Sequence, residues 1–438
     1  MRNSFRYTIK NKEEFAEKLI YWAKKFQFSV FLDSNSQMNK MPPSYDTFDF
    51  ISAVGINRLC MPKENFFESL RLFYENNKDW VFGYFTYDLK NEIFNLKSEN
   101  IDNLYFPEML FCIPKYVFRL HNKTLIIETF ADKKHADNLI NKIKNYIIKR
   151  SRNIALEIQQ REKKALYLEK INKIKSNIKR GDVYEMNYCQ EFYSESAIID
   201  PERLYVNLNE KTKSPFSSFM HFRDKYLLCF SPERFLKKSN KTVISQPIKG
   251  TSKRSANVKE DRRLRNDLVK SKKDIAENVM ITDLVRNDLS KYACRSSVKV
   301  EELCGIYSFN NVHQLITTIS SEISYETHFI DIIKGSFPMG SMTGAPKKKA
   351  MELIEKYETT KRGLFSGSIG YITPDGDFDF NVVIRSILYN KTKKYLSVIV
   401  GGAITDQSKP EDEYEECIIK IKNILETVSK KNNSNCET

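Results

Sequence analysis

The chain has 438 residues and is 41% hydrophobic, which is long for one ordinary domain and apolar enough to fill a large core, so wholesale disorder is excluded. Its formal net charge is +15, yet the lysines are scattered among Glu and Asn, as in KNKEEF and ELIEKYE, and none of the common nucleic-acid motifs occurs. The charge therefore reads as a solvated basic surface, with no nucleic acid expected as a partner.

The eight cysteines include no CxxC pair, which argues against structural zinc and against a disulfide framework. The N-terminus, MRNSFRYTIKNKEEF, lacks the apolar core of a signal peptide, and no uninterrupted apolar run reaches the ~18 residues of a membrane span. The expectation is a cytoplasmic protein with reduced, buried thiols and no membrane partner.

In chain order, residues 12–25 read as a helix, Phe28–Asp33 and residues 80–87 as strands, and residues 137–148 as a helix. A Lys/Glu-rich segment over 154–179 carries Leu166, Ile171, Ile174 and Ile178 at helical spacing and stops at Arg180-Gly181. The domain boundary is placed there. Residues 1–155 form a divergent N-terminal α+β region, 156–430 carry the chemistry, and 431–438 are a disordered tail.

Beyond that boundary the few glycines gather in SQPIKGTSKR, GSFPMGSMTGAPKKKA, GLFSGSIGYITPDGD and VGGAITDQSKPEDE, which suggests close approach of backbone to a ligand. Lys249 follows the strand-like KTVISQ, between an apolar residue and a glycine. Desolvation there would lower its pKa and free an amine nucleophile. Glu277 precedes Ile281, Leu284 and Val285 at helical spacing, so its carboxylate lies near an apolar face and needs a partner, a proton or a metal.

The last helix begins at Pro410 and takes Ile418, Ile421 and Leu425 as its core stripe, with Glu413, Glu416 and Lys420 on another face. Those three residues read either as an exposed ion pair or as a hard-cation site with a cationic anchor. Two carboxylates without a His or Cys cluster suit Mg2+ rather than zinc. The Gly340–Lys347 loop could hold an anion on its free N–H groups, but Pro346 breaks the Walker A spacing.

Together, IKRGDVYEMNYCQEF, SPERF, QPIKGTSKR, AENVMITDLVRND, VHQLITTI, FPMGSMTGAPKKKAMELIE, GSIGYI, NVVIRS and GGAITDQSKPEDEYEECIIK resemble the chorismate-utilising enzymes over roughly residues 165–425. The resemblance implies an α+β fold of packed antiparallel β-sheets with outer helices, the site lying in the cleft between them. PIKGT is similar to the aminodeoxychorismate synthases, whereas anthranilate synthases typically have PIAGT. In that branch the lysine attacks chorismate C2, the C4 hydroxyl departs, and ammonia enters at C4 and expels the lysine. By motif, Lys249 and Glu233 are then the catalytic residues, Glu233 as general acid/base.

The same resemblance makes Glu277, Glu416 and Glu413 the Mg2+ ligands. Lys420 and the backbone of a Gly401-Gly402-Ala403 loop help bind the ring carboxylate, and Arg385 forks onto the enolpyruvyl carboxylate. Thr251 and Arg286 are further site residues; Arg286 reads equally well as an ion pair with Asp283 or Asp288.

Three positions depart from the pattern: Phe365 stands where relatives place a tyrosine, His313-Gln314 are offset from the usual histidine, and Ala403 replaces a glycine. Phe31-Leu32-Asp33-Ser34 is similar to the start of an effector segment, but no feedback regulation is assigned. With no recognisable glutaminase motif in the chain, ammonia is expected from a separate glutamine amidotransferase subunit. The alternatives are anthranilate synthase component I and an isochorismate or salicylate synthase.

Overall fold

Runs such as VFGYF and YLSVIVGGAI have no polar face to offer water, so they pair as interior strands. The computed structural model describes residues 1–35, 48–149, 151, 156–310 and 312–429. The tail over 431–438 lies outside the described residues. Among the described residues every pairing between named strands is antiparallel, and the strands join into one hydrogen-bonded network of twenty. The α+β fold with outer helices is as expected.

Alternation along the strands sends side chains into two large cores among the described residues, beside a small third cluster of Ile248, Phe309 and Ile316. In Lys225–Ser231, Leu227 and Cys229 enter one core while Tyr226, Leu228 and Phe230 enter the other. The second core lies against the helices Lys12–Ala23, Lys164–Lys179, Pro201–Thr212 and Pro410–Ser429 through residues such as Leu19, Ile171, Leu204 and Ile421.

The stretches on either side of residue 155 are interleaved. Strand Phe28–Asp33 pairs with Phe216–Phe222, and Val81–Phe85 pairs with Ser368–Ile372. The first core mixes Phe82 and Phe111 with Ile319 and Phe380.

Phe28–Asp33 is a strand with the expected bounds, and the 80–87 strand is Val81–Phe85. The helix expected at 137–148 is Lys133–Lys144, because Asp132 caps it by accepting from the His135 N–H. Two inward faces shift. Leu166 is exposed while Tyr167 takes its inward place, and the last helix buries Tyr414, Cys417, Ile421, Ile424 and Val428, so Ile418 and Leu425 flank the stripe. Among the described cysteines none forms a disulfide; five are buried and Cys294 is exposed. No helix of the described residues is long and apolar enough to cross a membrane.

Candidate active site

Lys249 sits on strand Ile248–Lys253, which pairs with Val312–Glu322. The register runs from Ile248↔Ile316 to Thr251↔Gln314, so one extra residue is accommodated on the lysine's strand. This is a β-bulge, a device that re-aims side chains beside functional sites. Gly250 takes φ +88° there, and a Cβ on it would lie 3.0 Å from that of Asp274. The glycine of PIKGT is thus needed for both backbone angle and space.

Lys249 is buried, and its Nζ donates to Glu185 Oε1 at 3.0 Å. The expected fall in its pKa is not found. Burial does pull the value down, but Glu185, Glu277 and Glu233 outweigh burial and hold the ammonium above the ordinary lysine value.

Glu233 precedes strand Arg234–Ser239 and is buried, its Oε1 accepting from Ser341 Oγ at 2.6 Å. Burial raises its pKa from 4.5 to about 7, against the opposing pull of Ser341, Lys249 and Arg385. A carboxyl poised there can give and take a proton near neutrality.

Arg385 adopts φ +52°, an uncommon backbone angle for a residue with a side chain. Among the described residues its guanidinium makes no hydrogen bond, while Glu233 and Glu416 act on it electrostatically. A planar cation left without a partner suits a carboxylate ligand.

Glu277, on helix Lys272–Ser290, has its pKa raised from 4.5 to about 7, chiefly by burial. Its Oε1 is buried and accepts no hydrogen bond among the described residues. Glu413 is buried and accepts from Lys273 Nζ at 3.0 Å, whereas Glu416 is half-exposed and pairs with Lys420 Nζ at 2.7 Å. Burial pushes Glu416 up, but Lys420, Lys273 and Lys249 outweigh it and keep its pKa below the ordinary value. Lys273 Nζ also lies 3.8 Å from Glu277 Oε1, so one ammonium serves all three carboxylates.

Among the described residues no group of three His, Cys, Asp or Glu side chains is gathered to hold a metal. The expected trio is therefore not formed, because Glu413 is taken by Lys273. Glu277, whose buried Oε1 accepts no hydrogen bond among the described residues, and Glu416 still fit Mg2+, which is commonly bound through one or two carboxylates with water and substrate oxygens completing the shell.

The Gly401–Ala403 segment is not a loop. It lies in strand Tyr395–Ile404, paired with Glu185–Ser194 as Gly401↔Cys189, Gly402↔Tyr188 and Ala403↔Asn187. Lys420 Nζ donates to the Gly401 carbonyl at 2.8 Å. A Cβ on Gly401 would lie 2.2 Å from the Tyr188 carbonyl oxygen, backbone that cannot give way, while one on Gly402 would reach 3.3 Å from Glu413 Oε2. Gly401→Ala should therefore cost about 1–3 kcal/mol or more in a urea unfolding series. Gly402→Ala should cost less than about 1 kcal/mol by the same measurement, because its neighbours are side-chain ends.

Other expected residues lie elsewhere. Arg286 is exposed and pairs with Asp283 at 2.8 Å; nine residues beyond Glu277 on one helix is half a turn away from it. The ion-pair reading of Arg286 is the one the structure supports. Thr251 is exposed and its hydroxyl accepts from Gln314 Nε2 at 3.4 Å. His313 uses both ring nitrogens, on Ser308 Oγ at 2.8 Å and Asp261 Oδ1 at 3.1 Å, which ties it to helix Val258–Lys270. Phe365 is buried in the first core.

Glu185, Ser341, Asn187 and Lys273 were not singled out in the sequence. Asn187 Nδ2 donates to the Ser341 carbonyl at 3.2 Å, supporting the turn that holds Glu233. Lys273, four residues before Glu277 on the helix, was the detectable one.

The chain matches the chorismate binding enzyme family over residues 34–426. It belongs to that family. The match begins well before the 165–425 stretch of the motifs, in keeping with the interleaved strands. A relative in Escherichia coli, "Aminodeoxychorismate synthase component 1", is 37% identical over 264 residues, covering 60% of this chain and 58% of that protein. The chain thus spans less than two thirds of that relative's length. The Bacillus subtilis protein of the same name is 30% identical over 352 residues, covering 77% of this chain and 74% of its own. Among solved structures, anthranilate synthase component I from Streptococcus pneumoniae aligns with TM-score 0.70 and 25% identity, over 79% of this chain and 80% of that one.

Proposed function

We propose that the chain aminates chorismate to 4-amino-4-deoxychorismate, as the synthase component of an aminodeoxychorismate synthase. The observation that carries this reading is the buried Lys249 amine, on its bulge among Glu185, Glu277 and Glu233. Anthranilate synthases typically have alanine in its place. The relatives named aminodeoxychorismate synthase support the same choice.

Lys249 first passes one Nζ proton to water; its lone pair then forms a bond to C2, the ring double bonds shift, and the C4–O bond breaks. Glu233 gives its proton to the departing hydroxyl, which leaves as water. Ammonia then attacks C4, the double bonds return, and the C2–N bond breaks with its electron pair going to Lys249. The new C4 ammonium gives one proton to Glu233, Lys249 takes one back from water, and both side chains are restored. Covalent tethering replaces one hard displacement with two easier ones.

Arg385 binds the enolpyruvyl carboxylate; Lys420 helps hold the ring carboxylate beside Glu277 and Glu416. Those two glutamates would hold Mg2+, whose chemistry is to neutralise and orient the ring carboxylate. Ammonia would come from a glutamine amidotransferase partner.

The test incubates the chain with chorismate, Mg2+ and ammonium, then adds a lyase and assays p-aminobenzoate. Anthranilate or isochorismate as the product would sink the reading. Chelation with EDTA should stop turnover and added Mg2+ should restore it; turnover indifferent to EDTA would remove the metal.

A further inference from the structure

Among the buried ion pairs of the described residues, two near the site are built differently. Arg362 and Glu358 satisfy one another fully. The guanidinium donates to both Glu358 oxygens and to the carbonyls of Met342 and Asn187, while Glu358 also accepts from the Cys189 N–H. That is how a structural pair meets the cost of burial.

The pair between Glu185 and Lys249 is half-made. Lys249 Nζ makes one hydrogen bond among the described residues, leaving two of its three protons without an acceptor. Glu185 is 1% exposed, and its buried Oε2 has no hydrogen-bond partner among the described residues. An ion pair buried with so few of its hydrogen bonds made is weak evidence for stability, so stability does not account for it.

Geometry does account for it. Lysine carries four rotatable side-chain bonds, and a nucleophile must be aimed to within a fraction of an ångström. Glu185 lies on strand Glu185–Ser194, locked between Tyr395–Ile404 on one side and Gly344–Ala345 on the other, so its carboxylate is a fixed point. The bulge turns Lys249 towards it. The other charged groups acting on Lys249 are Glu277 from its helix, Glu233 from the turn before Arg234–Ser239 and Glu416 from the last helix; within ion-pair distance stands Glu185 alone among the described residues.

We infer that Glu185 is a positioning residue for Lys249: its Oε1 accepts one Nζ proton and fixes the direction from which the amine meets its electrophile. The inference rests on the proposed role of Lys249 as nucleophile. The hydrogen bond is what matters, so an uncharged acceptor of the same length can replace it.

The test compares Glu185→Gln, which keeps an oxygen in place, with Glu185→Asp, which withdraws it by one methylene; both preserve a polar group in the strand. Glu185→Asp should lower kcat about 10–100-fold with KM for chorismate within about twofold, and Glu185→Gln should stay within about threefold of the parent. An aspartate variant with parental kcat, or a glutamine variant as poor as the aspartate one, overturns the inference.

Carbamylation of Lys249 by cyanate, followed by peptide mass, gives a readout that needs no chorismate. Loosening the amine in Glu185→Asp should quicken labelling at least about threefold, and an unchanged rate again overturns the inference. A parent protein that makes no aminated product counts against the proposed function alone; the labelling rates then still decide the role of Glu185.

Discussion

Lys249→Ala should make no detectable 4-amino-4-deoxychorismate, a fall in kcat of at least about 10³-fold, with the protein still folded. The size follows from what is removed. An intramolecular nucleophile is worth roughly 7–11 kcal/mol when well oriented, and alanine leaves nothing to form the C2 bond. The fold should survive because the side chain contributes one hydrogen bond to a pair already incomplete. Intact-mass analysis after mixing with chorismate should find an adduct on the parent and none on the variant. Equal turnover in the two proteins would refute the assignment of the nucleophile.

Glu233→Gln should lose about 10²–10⁴-fold in kcat and gain stability at the same time. The loss follows because glutamine cannot give the C4 hydroxyl its proton. The gain follows from linkage. The folded-state pKa is about 7 against an ordinary 4.5, so the folded protein binds this proton more tightly than the unfolded chain. Stability is therefore lost as pH rises from 4.5 to about 7 and stays low above it.

A shift of that size amounts to about 3 kcal/mol, which glutamine should recover at pH 8 and not at pH 4. Urea unfolding at the two pH values checks it. A variant no more stable than the parent at pH 8 would show that the acid is ionised without cost. In the parent, single-turnover hydroxyl departure should slow as pH climbs through about 7, and the variant should lack that limb.

How much of this was readable beforehand depended on the kind of information each residue carries. Lys249, Glu233 and Arg385 lie in motifs whose glycines, prolines and charges punctuate the chain. The bulge at Gly250 and the left-handed backbone at Arg385 are local consequences of those same stretches. Glu185 gave no such sign, because within EMNYCQEFYS nothing local tells that its side chain is buried and faces a lysine 64 residues away.

Arg286 is the converse case: it stands in a motif beside Glu277, but helical rotation carries it to the far side, and of its two readings the ion pair with Asp283 is the one formed. The pKa of Lys249 rises where its sequence neighbours imply a fall, because Ile248 and Gly250 speak of desolvation alone. The three opposing carboxylates come from distant elements.

The interleaved strands also set the order in which the protein can acquire its shape. Phe28–Asp33 must wait for Phe216–Phe222, and Val81–Phe85 for Ser368–Ile372. At ribosomal speeds of about 5–20 residues per second, the first of those waits lasts on the order of 10–40 s. During it, one edge of each strand pairs early, with Phe50–Cys60 and Met109–His121 respectively, while the other edge stays bare, the condition in which chains associate wrongly. The topology therefore leaves one face of hydrogen-bonding groups on each strand open until its later partner arrives.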